Sequence, residues 1–315
     1  MKMAQRLITI FGGSGFVGKT LVERLAKTGA RIRVAVRHPN SALALKPLGD
    51  VGQIQVVQAN LRNEDSVRAA LTGADAVVNL VGILSQSGAQ KFDKLHVGGA
   101  ALVAKLSAEM GVKNLVHMSA LGADEDAEAN YARTKGEGEA AVRHYFPKAT
   151  ILRPSVIFGP DDKLFNRFAQ AASLLPVIPV FSGDCLFQPV YVGDVVQVML
   201  KALEGDEMQG QAYELGGVKT YSLRQLMALA ADEAQQKVTF IDVPDFVAPF
   251  QVFFLGLLPN APITLDQLKM LKKDNVVSEG AKSLSDLGIT ATPVEAILPS
   301  YLHKYRPKGQ FAQEV

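Results

Sequence analysis

Tyr131 and Lys135 lie four positions apart in Tyr131-Ala-Arg-Thr-Lys135. On a helix that spacing puts both side chains on one face, a phenol beside an ammonium. An adjacent cation favours the phenolate and draws the phenol down from its ordinary pKa of about 10, so the pair could exchange a proton with a carbonyl or hydroxyl near neutrality. Tyr-x-x-x-Lys alone is a frequent accident, and its weight depends on the elements that precede it.

The run Gly12-Gly13-Ser14-Gly15-Phe16-Val17-Gly18 follows the apolar stretch Leu7 to Phe11 and opens an amphipathic segment. In a strand–turn–helix of this kind, glycines let main-chain N–H groups approach a pyrophosphate, whose charge the helix N-terminus favours. Gly12, Ser14, Gly15, Phe16, Val17 and Gly18 are therefore the expected phosphate cradle. The next apolar run ends at Val36 and leads into Arg37-His38, where an NAD-selective site carries an acid for the ribose 2′-hydroxyl. Arg37 offers a planar, multi-donor cation suited to a 2′-phosphate, the alternative being an arginine solvated at a strand end. NADP(H) is the expected ligand. Asn60-Leu61 and Val81-Gly82 fall at the carboxyl ends of the third and fourth strands, the edge where open α/β sheets bind ligands. Asn60 is expected at the adenine and Val81-Gly82 at the ribose and phosphates, while Asn60 or Asn79 could equally bond its own backbone in a turn.

Positioning these groups requires alternating strands and helices. Strands are predicted over Leu7 to Phe11, Arg31 to Val36, Gln53 to Gln58, Ala76 to Val81, Asn114 to Met118 and Thr150 to Arg153, and helices over Gly15 to Thr28, Glu64 to Leu71, Phe92 to Met110 and Tyr131 to Tyr145. This is the pattern of a doubly wound α/β fold of Rossmann type with a parallel sheet, assigned to residues 1–155. From residue 156 to 315 prolines multiply and the alternation lapses, which predicts a smaller, interleaved C-terminal lobe. Val190 to Val192 and Ala212 to Leu215 read as strands able to extend the main sheet.

Composition narrows the function. In 315 residues a formal net charge of +2 gives no basic footprint for nucleic acid. The single cysteine, Cys185, and the five histidines show no metal-ligand spacing, so no metal is expected. Met1 to Arg6 leave no room for a signal or transit sequence, an expectation that the chain stays in the compartment where it is made. Phe246 to Leu258 is the longest apolar stretch, shorter than the roughly 20 residues of a membrane span. Followed by Lys269, Lys272 and Lys273, it reads either as an exposed patch for a partner or phospholipid surface or as core of the second lobe.

The glycine turn, Tyr131 with Lys135, Leu152-Arg153-Pro154-Ser155 through Phe158-Gly159-Pro160, Gln188-Pro189-Val190-Tyr191-Val192-Gly193-Asp194-Val195 and Tyr213-Glu214-Leu215-Gly216-Gly217 together resemble the extended and atypical short-chain dehydrogenase/reductase superfamily. The resemblance spans most of the chain and implies that Pro154 and Ser155 lie near the nicotinamide, with Tyr131 and Lys135 beside it. Two positions depart from the pattern. Met118-Ser119-Ala120-Leu121-Gly122 matches Ser119 to the first serine of the family's Ser-Ser-x-x-Val-Tyr-Gly run but sets Leu121 where a catalytic serine or threonine is expected, and His96 stands where extended members tend to carry asparagine. The run Arg153 to Asn166 and Pro262-Ile-Thr-Leu-Asp-Gln-Leu are similar to the nucleotide-binding accessory subunits of respiratory complex I, the NADH dehydrogenase of the electron-transport chain, in mitochondria and alphaproteobacteria. That resemblance implies NADP(H) held without turnover, Ser119, Tyr131 and Lys135 vestigial, partner subunits at the junction of peripheral and membrane arms, and a peripheral location on the cytoplasmic face of a bacterial inner membrane. The alternative is a soluble NADP-dependent oxidoreductase or epimerase using Tyr131 and Lys135.

Overall fold

Apolar runs with few polar breaks form strands here because helices cover both of their faces. The structure, a computed structural model, describes residues 3–244, 246–248, 250, 252 and 263–307. Strands β1 Leu7–Phe11, β2 Arg31–Val36, β3 Ile54–Gln58, β4 Ala76–Asn79, β5 Asn114–Met118 and β6 Thr150–Pro154 alternate with helices α1 Phe16–Ala26, α2 Glu64–Leu71, α3 Ala100–Glu109 and α4 Asn130–Tyr145. Later strands are β7 Ile157–Phe158, β8 Val177–Phe181, β9 Leu186–Phe187, β10 Val190–Tyr191, β11 Ala212–Leu215, β12 Tyr221–Ser222 and β13 Thr239–Val243. The main sheet has seven strands in the order β11-β6-β5-β4-β1-β2-β3, with β1 to β6 pairing in parallel. Chain direction across the sheet reverses between β1 and β4, so the carboxyl ends of these two strands bound the crevice where doubly wound folds take ligands.

Two compact units divide the chain, one of Met1–Pro154, Gly193–Glu214 and Ala281–Ile289, the other of Ser155–Val192, Leu215–Gly280 and Thr290–Val315. In the first, β1 and β5 are buried at every position, and Phe11, Val77, Leu106, Leu115 and Ile151 meet in a core between the sheet, α2 and α3. Each such large side chain stabilises the fold by roughly 1.5–3 kcal/mol. Helix α2 starts where Asn63 accepts the Ser66 N–H at 2.9 Å, with Glu64 and Asp65 in the first turn to complement the helix dipole. In the second unit, α5 Phe165–Leu174 and α6 Leu223–Glu233 pack with the segment from Val294 to Leu302 around Phe158 and Phe165. Asp162 there accepts bonds from the Gly159 and Phe165 amides at 3.2 and 2.7 Å and from the Tyr301 hydroxyl.

The fold departs from the sequence pattern in two places. Val190–Tyr191 does not extend the main sheet as the alternation predicts; it pairs in parallel with Ile157–Phe158, because two-residue strands leave no periodicity to read. The long helix predicted from Phe92 begins as a π-helix, Asp93–Gly99, before continuing as α3. The wider π turn carries its backbone onto α4, and a Cβ on Gly138 would stand 2.3 Å from the His96 carbonyl oxygen.

That contact generates a prediction. Gly138→Ala should destabilise the fold by about 1–3 kcal/mol through overpacking, read as a lower urea midpoint. Gly205→Ala, where a Cβ would meet nothing within 4 Å, should stay within about 0.5 kcal/mol of the parent. Equal midpoints for the two variants would remove the close-approach argument.

Candidate functional site

The turn after β1 is shaped by main-chain crowding. Gly12 takes φ +81°, and a Cβ on Gly18 would lie 2.6 Å from the Gly12 carbonyl oxygen, so neither position accepts a side chain without displacement. Gly15 caps α1 and contributes no side-chain bond, which leaves the first-turn N–H groups of that helix to an anion. Arg37 and His38 are exposed just past β2, and Arg37 forms no hydrogen bond or ion pair among the described residues. Other predicted positions are spent locally. Asn60 Oδ1 accepts the Arg62 N–H at 3.1 Å in a turn, and Leu61 belongs to the core under α3. Ser155 gives its hydroxyl to the Asn275 carbonyl and side chain, at 3.0 and 2.7 Å, within the second unit.

Around the end of β4 the structure brings together Gly82, His96, Tyr131, Lys135 and the Met118–Ser119 end of β5. The Lys135 ammonium is buried and donates to the Met118 carbonyl at 3.0 Å, and it would lie 3.3 Å from a Cβ on Gly82. Burial lowers its pKa to about 8, with Glu139 opposing the shift. Tyr131 packs edge-on against His96 and Phe92, at 5.4 and 6.0 Å between ring centroids. The expected downward pull on the phenol is not found: burial raises Tyr131 to about 12. Desolvation of the phenolate is the cause of this shift. Ser119, 3% exposed, has a hydroxyl with no partner among the described residues, whereas Leu121 is buried with its N–H on the Pro154 carbonyl.

Three features of this cluster escape a reading by spacing alone. His117, in the middle of β5, faces the Asn79 amide at 3.3 Å; since Asn79 Oδ1 already accepts the Val81 N–H, Nδ2 must donate to the imidazole Nδ1. His96 and His117 are both held near 3 by burial, with the Lys135 charge adding to each, so both are neutral. One turn beyond Lys135, Glu139 binds Arg153 through Nε and Nη2 at 2.9 and 2.7 Å, and Arg153 Nη1 lies 3.6 Å from Glu214. Helical spacing places Glu139 on the face of Tyr131 and Lys135 but does not show its partner on β6, and His117 shows only as a polar break in an apolar run.

An N-terminus with free donors, a crowded glycine turn and an orphaned buried hydroxyl at an adjacent strand end fit a nicotinamide dinucleotide lying across the carboxyl edge of the sheet. A model of the NAD-dependent epimerase/dehydratase family matches residues 8–216. The chain belongs to this family. The short-chain dehydrogenase/reductase resemblance in its motifs is thereby upheld. Among relatives of this epimerase/dehydratase member, the mitochondrial NADH dehydrogenase [ubiquinone] 1 alpha subcomplex subunit 9 of Dictyostelium discoideum is 30% identical over 308 residues, covering 96% of this chain and 85% of the relative. The ceramide reductase of Caulobacter vibrioides is 30% identical over 244 residues, covering 77% and 75% respectively. The NADPH-dependent quinone oxidoreductase QOR2 of Escherichia coli, solved with NADPH, shares the fold with a TM-score of 0.73 at 23% identity, over 94% of this chain and 98% of that one.

The neutral histidines predict an acid weakness. Between 3 and the ordinary imidazole value of 6.5 the unfolded chain binds protons that the folded chain excludes, so stability falls as pH is lowered through that window. The urea midpoint should drop across it, and less steeply in His117→Asn, which keeps an acceptor where Nδ1 stood. A parallel slope in the variant would show that His117 is not a buried neutral base.

Proposed function

We propose that this chain is a non-catalytic accessory subunit of respiratory complex I that holds NADP(H) and stabilises the junction of the peripheral and membrane arms. The observation that carries the reading is a division within the site. The main-chain groups suited to holding a dinucleotide are in place, but Leu121 occupies the position of the substrate-bonding hydroxyl and the Tyr131 phenol is held at about 12. The 30% identity to a mitochondrial NADH dehydrogenase subunit across nearly the whole chain supports the same assignment. In this reading Gly12, Ser14, Gly15, Phe16, Val17 and Gly18 cradle the pyrophosphate, Arg37 and His38 meet the 2′-phosphate, and Asn60 and Leu61 border the adenine. Val81, Gly82, Tyr131, Lys135 and Pro154 complete the ribose and nicotinamide side. Bound nucleotide would supply hydride chemistry in a complete enzyme; here it stabilises the folded state by mass action.

The partners are other complex I subunits, and the location is the periphery of a bacterial inner membrane on its cytoplasmic face. No helix among the described residues is long and apolar enough to cross a membrane. Phe246 and Phe250 are 79% and 71% exposed, which supplies apolar surface for a partner or phospholipid contact, while Ala248 and Val252 are buried against Phe181 and Leu268. Positions 249, 251 and 253–258 of the stretch lie outside the described residues. A second reading, a reductase using Tyr131 and Lys135, is favoured by the identity to a bacterial ceramide reductase.

Protein purified from native membranes should release stoichiometric NADP(H) on denaturation, identified by absorbance and mass, and should co-migrate with complex I on a native gel. An empty, freely soluble protein would move the assignment to the reductase, and carbonyl reduction abolished by Tyr131→Phe would establish it. Arg37→Ala should weaken NADPH binding about 10- to 100-fold, the loss of hydrogen bonds to a charged group, and leave NADH binding nearly unchanged. Equal losses for both nucleotides would remove Arg37 from 2′-phosphate recognition.

A further inference from the structure

The π-helical turn that replaces the expected α-helix places His96 between two elements of the site. His96 Nε2 accepts the Ile83 main-chain N–H at 3.1 Å, so the ring proton is on Nδ1, which stands 3.0 Å from Thr134 Oγ1. The Thr134 hydroxyl in turn donates to the Asn130 carbonyl at 2.8 Å. The bonds run in one direction, from Ile83 through the imidazole and Thr134 into the first turn of α4. The hydroxyl also reaches the Tyr131 carbonyl at 3.2 Å, still within the first turn of α4, and a flipped or protonated ring would break the chain at Ile83. The ring is also clamped mechanically: it stacks on Phe92 with centroids 5.2 Å apart, and its own carbonyl oxygen occupies the space a side chain on Gly138 would need. His96 is 2% exposed and so offers no surface to a ligand. What it holds is the chain at Gly82 and Ile83, just past β4 and outside any strand, beside the Lys135 ammonium.

We propose that His96 is a positioning residue for the nucleotide: its neutral ring fixes the Gly82–Ile83 backbone against α4 and so presets the β4 edge of the binding crevice. This assignment rests on the nucleotide-holding reading above. An asparagine at the same position is too short to reach the Ile83 N–H from the same backbone, whereas glutamine can set an acceptor near the place of Nε2.

The test uses the full-length protein, NADPH fluorescence titration and amide hydrogen exchange resolved at Ile83. His96→Leu should speed exchange at Ile83 and weaken NADPH roughly tenfold, the scale of one lost bond with its partner left unsatisfied. His96→Gln should restore protection and affinity, and His96→Asn should not. If His96→Leu does not fold, the comparison of Gln with Asn decides alone. NADPH affinities that match wild type in folded Leu or Asn variants, with Ile83 deprotected, would overturn the assignment. Wild-type protein that binds neither NADPH nor NADH would instead sink the nucleotide reading itself, and this appears before any variant is made.

Discussion

Burying an ammonium costs several kcal/mol unless hydrogen bonds and opposite charge replace its water. Lys135 is buried at the centre of the first unit, and its neighbours are arranged as that cost requires. One of its N–H groups donates to the Met118 carbonyl at the end of β5, and Glu139 follows one helical turn later. Glu139 is shared with Arg153 on β6, which is also close to Glu214 on β11. Charge thus alternates from helix to sheet edge, cation, anion, cation, anion. The two nearby imidazoles stay neutral because a third cation in the same low-dielectric space would have no counter-charge.

This constraint fixes geometry as well as charge. For the ammonium to reach the end of β5, α4 must approach the sheet and the π-helical segment closely. Gly138 permits the approach to His96, and Gly136, where a Cβ would sit 2.6 Å from the backbone at Asp124 and Glu125, permits the approach of the preceding loop. With α4 seated, Thr134 meets His96 and His96 meets Ile83, so the backbone beyond β4 is held by the same helix that buries the cation. The carboxyl edge of the sheet is thereby tied to α4 by the same packing that satisfies the buried charge.

Much of the frame was legible because burial on both faces forces a continuous apolar run. Leu7–Phe11, Arg31–Val36 and Asn114–Met118 have the bounds that their hydrophobic patterns predict. The glycine turn could be read since its residues act through the main chain, where sequence and geometry are closely tied. What could not be read depends on tertiary placement. Apolar spacing does not distinguish a π turn from an α turn over Asp93–Gly99, and two residues at Val190–Tyr191 carry no period. The sign of the Tyr131 shift is opposite to the expectation because the spacing of Tyr131 and Lys135 gives their common face but not how deeply the phenol is buried. Burial of the phenol, which depends on what packs around it, raises Tyr131 to about 12.

The two tasks of such a site place different demands on its residues. Holding a dinucleotide relies on N–H groups at a helix start, on glycines that keep side chains away and on a cation at the strand end, none of which changes protonation. Turnover requires a phenol near neutrality and a hydroxyl on the substrate oxygen, both side-chain properties that a single substitution removes. Leu121 is buried and satisfies its backbone through Pro154, so a side chain without a hydroxyl is accommodated there. The main-chain cradle would persist under selection for stability alone, because a ligand bound only by the folded state stabilises that state whether or not it reacts. On the reading proposed here, Lys135 survives for the same reason: a buried cation with a complete set of partners is costly to remove, since its loss would strand the Met118 carbonyl and unbalance Glu139.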